Sequence, residues 1–282
     1  MRNYLRRLPM NLSHALFLCC CMGCSLGMRA QGIEGLYVET YYISGAADFD
    51  STDWTPLQVG TVTYRVFVDL ALGWKVQALY GSQTHPLEIS TTTHFYNDPL
   101  NDEARGEMID ARHITDGHAV LDSWISLGSG TSKHLVVPKM QDPDGSLFSG
   151  RGAKEMLGNR SEDRFSGINE ADGLVGGSPA SVSKIGADLN CFQGKGNGSS
   201  LRLTNGAIAA IEGVRGLMDS NHVLLGQFTT DGELTLELNL QLIRPDGVSE
   251  QYVARDPIGS EVRCEFLRWK GTHLENNNTD NH

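Results

Sequence analysis

Acidic side chains in short loops are the residues of this chain best suited to chemistry. "DFDSTD" carries Asp48, Asp50 and Asp53, and "QDPDGS" carries Asp142 and Asp144 ahead of Gly145. Alternate aspartates in a loop can turn their oxygens onto one Ca²⁺, which takes about six to eight such ligands. Neither stretch completes an EF-hand, since "DPDGSLFSGRG" lacks the later ligands and the closing glutamate. Turn formation and solvation also account for Asp and Gly in loops. No cofactor is expected; Ca²⁺ at one or other of these loops, on Asp48, Asp50 and Asp53 or on Asp142 and Asp144, is the alternative.

A second collection lies in "HFYNDPLNDEARGEMIDARH", with His94, Asp98, Asp102, Glu103, Asp110 and His113. Two carboxyl groups about 5–10 Å apart across a cleft would suit glycoside hydrolysis. No pair stands at a metal-ligand spacing such as HExxH, so a solvated loop is the competing reading. Trp54, inside the first acidic loop, is the aromatic best placed to stack on a sugar ring. Ser123 in "LDSWISLGSG" lacks the glycines of a nucleophile elbow, and "FQGKGNGSS" lacks the spacing of a phosphate loop. These patterns indicate no catalytic residue.

The elements that must position these loops are strands. In "ELTLELNLQLI" the leucines at 234, 236, 238, 240 and 242 alternate with polar residues, which puts one face in a core and the other in water. "TVTYRVFVDL" alternates less cleanly, with Tyr64, Val66 and Val68 on one face and Arg65, Phe67 and Asp69 on the other. Further β-rich runs are separated by turn signals at 72–73, 230–232 and 245–247, and "TTDGELTL" reads as a hairpin between two strands. "GAIAAIEGV" is ambiguous between strand and short helix. The expectation is an all-β fold, an antiparallel β-sandwich or jelly roll spanning 31–254, with a Gly/Ser/Asp-rich loop region at 141–200. Residues 255–282 read as an extension with a disordered tail.

The first thirty residues hold Arg2, Arg6, Arg7 and Arg29, no acid, and an apolar run ending near Ala30. That is the pattern of a secretory signal peptide, with cleavage expected between Ala30 and Gln31. Cys24 after Gly23 offers a lipoprotein alternative, and the apolar run is too short for a transmembrane helix. Cleavage would remove four of the six cysteines. Cys191 and Cys264 would remain, and an oxidising exterior favours a disulfide between them. It would also leave 19 basic and 34 acidic residues, a formal charge of −15. Such a chain is repelled by the phosphates of nucleic acid.

The ordered blocks "GLYVETYYIS", "GTVTYRVFVDLALGWKVQALYG", "HPLEISTTTHFYND", "LDSWISLGSG", "DPDGS", "DGLVGGSPASV", "HVLLGQFTTDGELTLELNLQL" and "PDGVSEQYVA" resemble an N-terminal module of secreted multidomain proteins from Bacteroidota. Such proteins often end in a type IX secretion sorting domain. The resemblance runs from about Gly35 to Ala254 and implies an extracellular β-rich module without assigned activity. Gln31 also resembles the mature starts of exported proteins in that phylum. The chain stops soon after the module without a sorting domain, so periplasmic residence stands beside secretion. The functional expectation is a secreted, non-catalytic module for binding or assembly at the cell envelope, with a glycan or an envelope protein as partner. The alternatives are a glycan-binding or glycan-hydrolysing jelly roll and a calcium-stabilised structural domain.

Overall fold

A computed structural model describes residues 31–49, 56–99, 103–110, 112, 119–141, 173–194, 198–217 and 220–271. The first sheet is ordered β1 (Ile33–Ile43), β2 (Val62–Leu70), β12 (His222–Thr230) and β5 (Trp124–Ile125). The second runs β16 (Val262–Arg263), β15 (Ser249–Val253), β14 (Asn239–Ile243), β3 (Lys75–Gly81), β11 (Gly206–Val214) and β9 (Ser183–Ile185). The third runs β10 (Ser200–Leu203), β4 (Leu87–Thr91), β13 (Leu234–Glu237) and β17 (Arg268–Gly271). A small fourth sheet holds β6 (Ser129–Thr131), β7 (His134–Val136) and β8 (Leu174–Gly176). The named strands pair antiparallel except β15 with β16. The expected all-β sandwich is the observed fold.

The leucine run shows how the core is built. All five leucines are buried in one cluster, but the run is not a single strand. It breaks at Leu238, whose N–H donates to the Leu267 carbonyl at 2.8 Å, and so supplies β13 to the third sheet and β14 to the second. The same cluster takes Val62, Tyr64, Val66, Val68 and Leu70 from β2 and Val223, Leu225 and Phe228 from β12. Tyr64 meets Trp269 edge-on with centroids 5.7 Å apart, joining the first sheet to the third. "GAIAAIEGV" is the strand β11, with Ile208 and Ala210 inward and Ile211 outward.

Three expectations need correction. The segment "TTDGEL" is not a hairpin: β12 lies in the first sheet and β13 in the third, so the chain turns a corner between layers. Threonine hydroxyls hold that corner, with Thr230 Oγ1 2.7 Å from Thr91 Oγ1 and 3.0 Å from Thr93 Oγ1. Gly232 is required there, because a Cβ would sit 2.6 Å from two of those oxygens. The sandwich also runs past Ala254, since Cys264 and Leu267 are core residues and β17 pairs with β13. The tail from 272 lies outside the described residues.

No disulfide joins Cys191 to Cys264. Each is fixed by a different element: the Cys191 carbonyl accepts from Asn97 Nδ2 at 3.0 Å, and the Cys264 N–H donates to the Val253 carbonyl at 2.9 Å. Burial pushes the Cys191 thiol up to about 12, with the Asp188 charge adding to it, so the thiolate is scarce near neutral pH. Without reductant, both cysteines should take an alkylating label in denaturant, whereas Cys191 should resist it in the native protein; peptide mass mapping checks this.

The core makes a paired stability prediction. Leu240→Ala removes a fully buried side chain and should cost ~2–5 kcal/mol in urea unfolding. Among the described residues the buried Tyr64 hydroxyl has no hydrogen-bond partner, so Tyr64→Phe should be neutral or stabilising by up to ~1 kcal/mol.

Candidate functional site: the covered polar face of the first sheet

Strand β2 is buried on both faces. One face enters the sandwich core, and the other lies under the fourth sheet and residues Tyr96, Ile109, Val120 and Leu121. Phe67 and Leu224 pack there with Ile109, Trp124, Val136 and Leu174, and Tyr41 packs with Leu57, Tyr96, Val120 and Leu121. Strand alternation places Arg65 on the same covered face. Its register neighbours are Glu39 on β1 and Gln227 on β12, and Gln227 in turn faces Trp124 on β5.

Arg65 is 1 % exposed and is the largest fully buried side chain among the described residues. Its Nε donates to Gln227 Oε1 at 3.0 Å, and its guanidinium lies 3.5 Å over the Tyr41 ring. Gln227 passes the connection outward, donating from Nε2 to the carbonyls of Val120 at 2.9 Å and Asp122 at 2.8 Å. Glu39 Oε1 accepts the Lys139 N–H at 2.7 Å. Gly173 has φ +65°, and a Cβ there would come 2.9 Å from Arg65 Nη1. The row thus binds the turns at 120–122 and 139 to the middle of the sheet, and the chain passes close to Arg65 at Gly173.

Next to the row, Asp122 is fully buried and its Oδ1 accepts the N–H groups of Asp98 at 2.9 Å and Ser123 at 3.0 Å. Ser123 Oγ accepts the Thr229 N–H at 2.9 Å, and Thr229 Oγ1 donates to Thr63 Oγ1 at 2.8 Å. Ser123 is therefore a strand-fixing hydroxyl. These groups are engaged with the protein and screened from solvent.

A carboxyl absent from the sequence reading also belongs to this layer. Glu107 sits in the 3-10 turn Gly106–Met108, which packs against Trp124 and the Ser129 carbonyl because Gly106 has no Cβ. Its Oε2 accepts from Ser126 Oγ at 3.0 Å, and Arg105 Nη1 lies 3.2 Å from Oε1. Burial raises its pKa above the ordinary glutamate value, and the Glu103 charge adds to the rise; its own backbone, Arg105 and Ser126 oppose it. Arg105 is itself oriented by donating to the Val182 carbonyl at 3.0 Å. A lone glutamate in a loop has no sequence pattern to mark it, and only burial beside Ser126 sets it apart.

Those acidic residues singled out by sequence that the structure describes have separate partners. Asp48 is buried, and its Oδ2 accepts from the Gly45 N–H at 2.6 Å and the Tyr42 hydroxyl at 2.8 Å, closing its own turn. Asp110 forms a two-pronged pair with Arg112. Asp98 is buried beside Asp122. Asp50, Asp53, Trp54, Asp102, His113, Asp142 and Asp144, and Ala30 of the expected cleavage point, lie outside the described residues. Among the described residues no three His, Cys, Asp or Glu side chains are grouped to hold a metal ion.

Comparison of the chain with protein-family models, with curated proteins and with solved structures found no match.

Two measurements test the geometry. Arg65→Met should cost ~1–3 kcal/mol, because it removes the donor to a buried amide oxygen, and Gln227→Leu ~3–5 kcal/mol, because it removes a partner of a buried charge. The double variant should cost less than their sum by ~0.5–3 kcal/mol. The raised Glu107 pKa means that the folded chain holds this proton more tightly than the unfolded chain does. Its stabilising contribution is thus present at acidic pH and lost as pH rises through the folded value. Stability measured against pH should show this decline in the wild type relative to Glu107→Gln.

Proposed function

We propose that this protein is a non-catalytic β-sandwich module for binding or assembly at the cell envelope. The observation that carries the reading is the use made of its charged side chains. Arg65 and Asp122 are buried and Glu107 is partly buried, each against protein partners that tie one stretch of chain to another. The ordered blocks that resemble exported Bacteroidota modules support the same reading, and so does the signal-peptide pattern that ends at Ala30. Export to the periplasm or outer surface, cleaved at Gln31 or lipid-modified at Cys24, follows from that pattern. Among the described residues no helix is long and apolar enough to cross a membrane.

Glu107 favours one second reading, a glycan-acting protein. A carboxyl with a raised pKa, beside a second carboxyl at Glu103, has the ingredients of a general acid. Calcium bound by the acidic loops remains a third proposal, carried by the spacing of the aspartates alone. It predicts an unfolding midpoint that falls in chelator.

A chain beginning at Gln31 should leave a panel of esters, glycosides and peptides intact and co-sediment with cell-envelope fractions. Turnover of a glycoside that disappears in Glu107→Gln would replace the binding reading with the glycan-acting one.

A further inference from the structure

Strand β9 is the outermost strand of the second sheet, and its residues Ser183, Lys184 and Ile185 are all exposed. It is paired on one side only, with Ser183 set against Ala209, Lys184 against Ile208 and Ile185 against Ala207. Among the described residues no hydrogen bond reaches its outer edge from elsewhere in the chain. The backbone groups on that edge are left to solvent, which makes it a template for another extended chain.

The template is anchored at both ends. Before it, Ala180 and Val182 pack against the main core cluster, and the Val182 carbonyl accepts from Arg105 Nη1 at 3.0 Å. After it, Gly186 takes φ +61°, and its backbone lies so close to Gly206 that a Cβ on Gly206 would come 2.9 Å from the Gly186 carbonyl. An incoming strand therefore meets a ladder that is already in place, which lowers the ordering cost of binding.

The side chains indicate what this edge fits. On the outward face Ile185 stands beside Ala207, and Ile211 follows two places after Ala209, where β9 no longer flanks β11. These two isoleucines are 57 % and 81 % exposed, and Ala207 and Ala209 on the same face are half-buried. Strand alternation turns Lys184 to the other face, and among the described residues it has no ion pair. An extended partner with apolar residues on one face and a carboxylate on the other matches both features. Pairing with a second copy about Lys184 would instead set two lysines opposite one another, which is destabilising. A short edge strand that carries lysine is in general a device against self-pairing.

We propose that the outer edge of β9 takes an extended strand from a partner protein, with a partner carboxylate against Lys184 and partner apolar side chains on the face shared by Ile185 and Ile211. Main-chain hydrogen bonds supply the hold, and the charge and the apolar contacts select the partner and its register. This inference rests on the binding reading and names the mode of contact within it.

The probe is a blocked heptapeptide, Val-Thr-Val-Glu-Val-Thr-Val, compared on the full chain with the same peptide carrying lysine at its centre. The glutamate peptide should bind about three- to tenfold more tightly and should slow hydrogen exchange at 183–185. Lys184→Glu, a change at an exposed position, should reverse that preference. One of the two alternating patterns of N-methylation along the peptide should abolish binding, because it removes the donors that face the edge. Equal affinity for the two peptides, an unchanged preference in Lys184→Glu, binding that survives both methylation patterns, or a dimer of the chain protected at 183–185 would overturn the proposal. Failure of both peptides to bind a chain that still co-sediments with envelope fractions would overturn this edge alone and leave the binding reading standing.

Discussion

A guanidinium buried in the middle of a strand is the constraint on which the outer layer of this protein depends. Removing a guanidinium from water is costly unless its donors and its plane are occupied. The Gln227 amide and the Tyr41 ring meet part of that need. Gln227 can do so only while its own amide is anchored to the carbonyls of Val120 and Asp122. Burying Arg65 thus requires the turn at 119–122 to lie down on the sheet, and that turn in turn positions Ser123, Trp124 and the Asp98 backbone.

The rest of the sandwich needs no such device. Its core is made by alternation, with leucines, valines and aromatics from three sheets in one cluster. Burial of this kind is non-directional and contributes roughly 1.5–3 kcal/mol for each large apolar side chain. The covered face gains its specificity instead from directional contacts, which fix where irregular chain must sit. The charged side chains described on this face are engaged in that attachment.

Most of the sandwich was legible because strand period is written locally. The leucines from 234 to 242 announced their buried face, and the alternation around Arg65 gave its orientation correctly. What alternation does not say is whether the second face meets water or another layer, so Arg65 and Gln227 carried no signal of burial. The corner at 230–232 was misread because Thr-Asp-Gly serves a hairpin and an inter-layer turn equally well; the threonines at 91 and 93 that decide the matter come from elsewhere in the chain. Counting cysteines suggested a bridge, whereas pairing depends on where two distant elements place their thiols. The aspartates at 48, 98 and 110 were visible as types, but their separate partners are set by the fold.

The central claim is that the Arg65–Gln227 contact fastens the outer layer to the sandwich without forming part of its core. Residue-resolved hydrogen exchange of Gln227→Leu against the wild type tests it most directly. The account predicts faster exchange at 119–136 and 174–176, with β13 and β14 keeping their wild-type protection. Unchanged exchange in the outer layer, or equal acceleration throughout both regions, would contradict it.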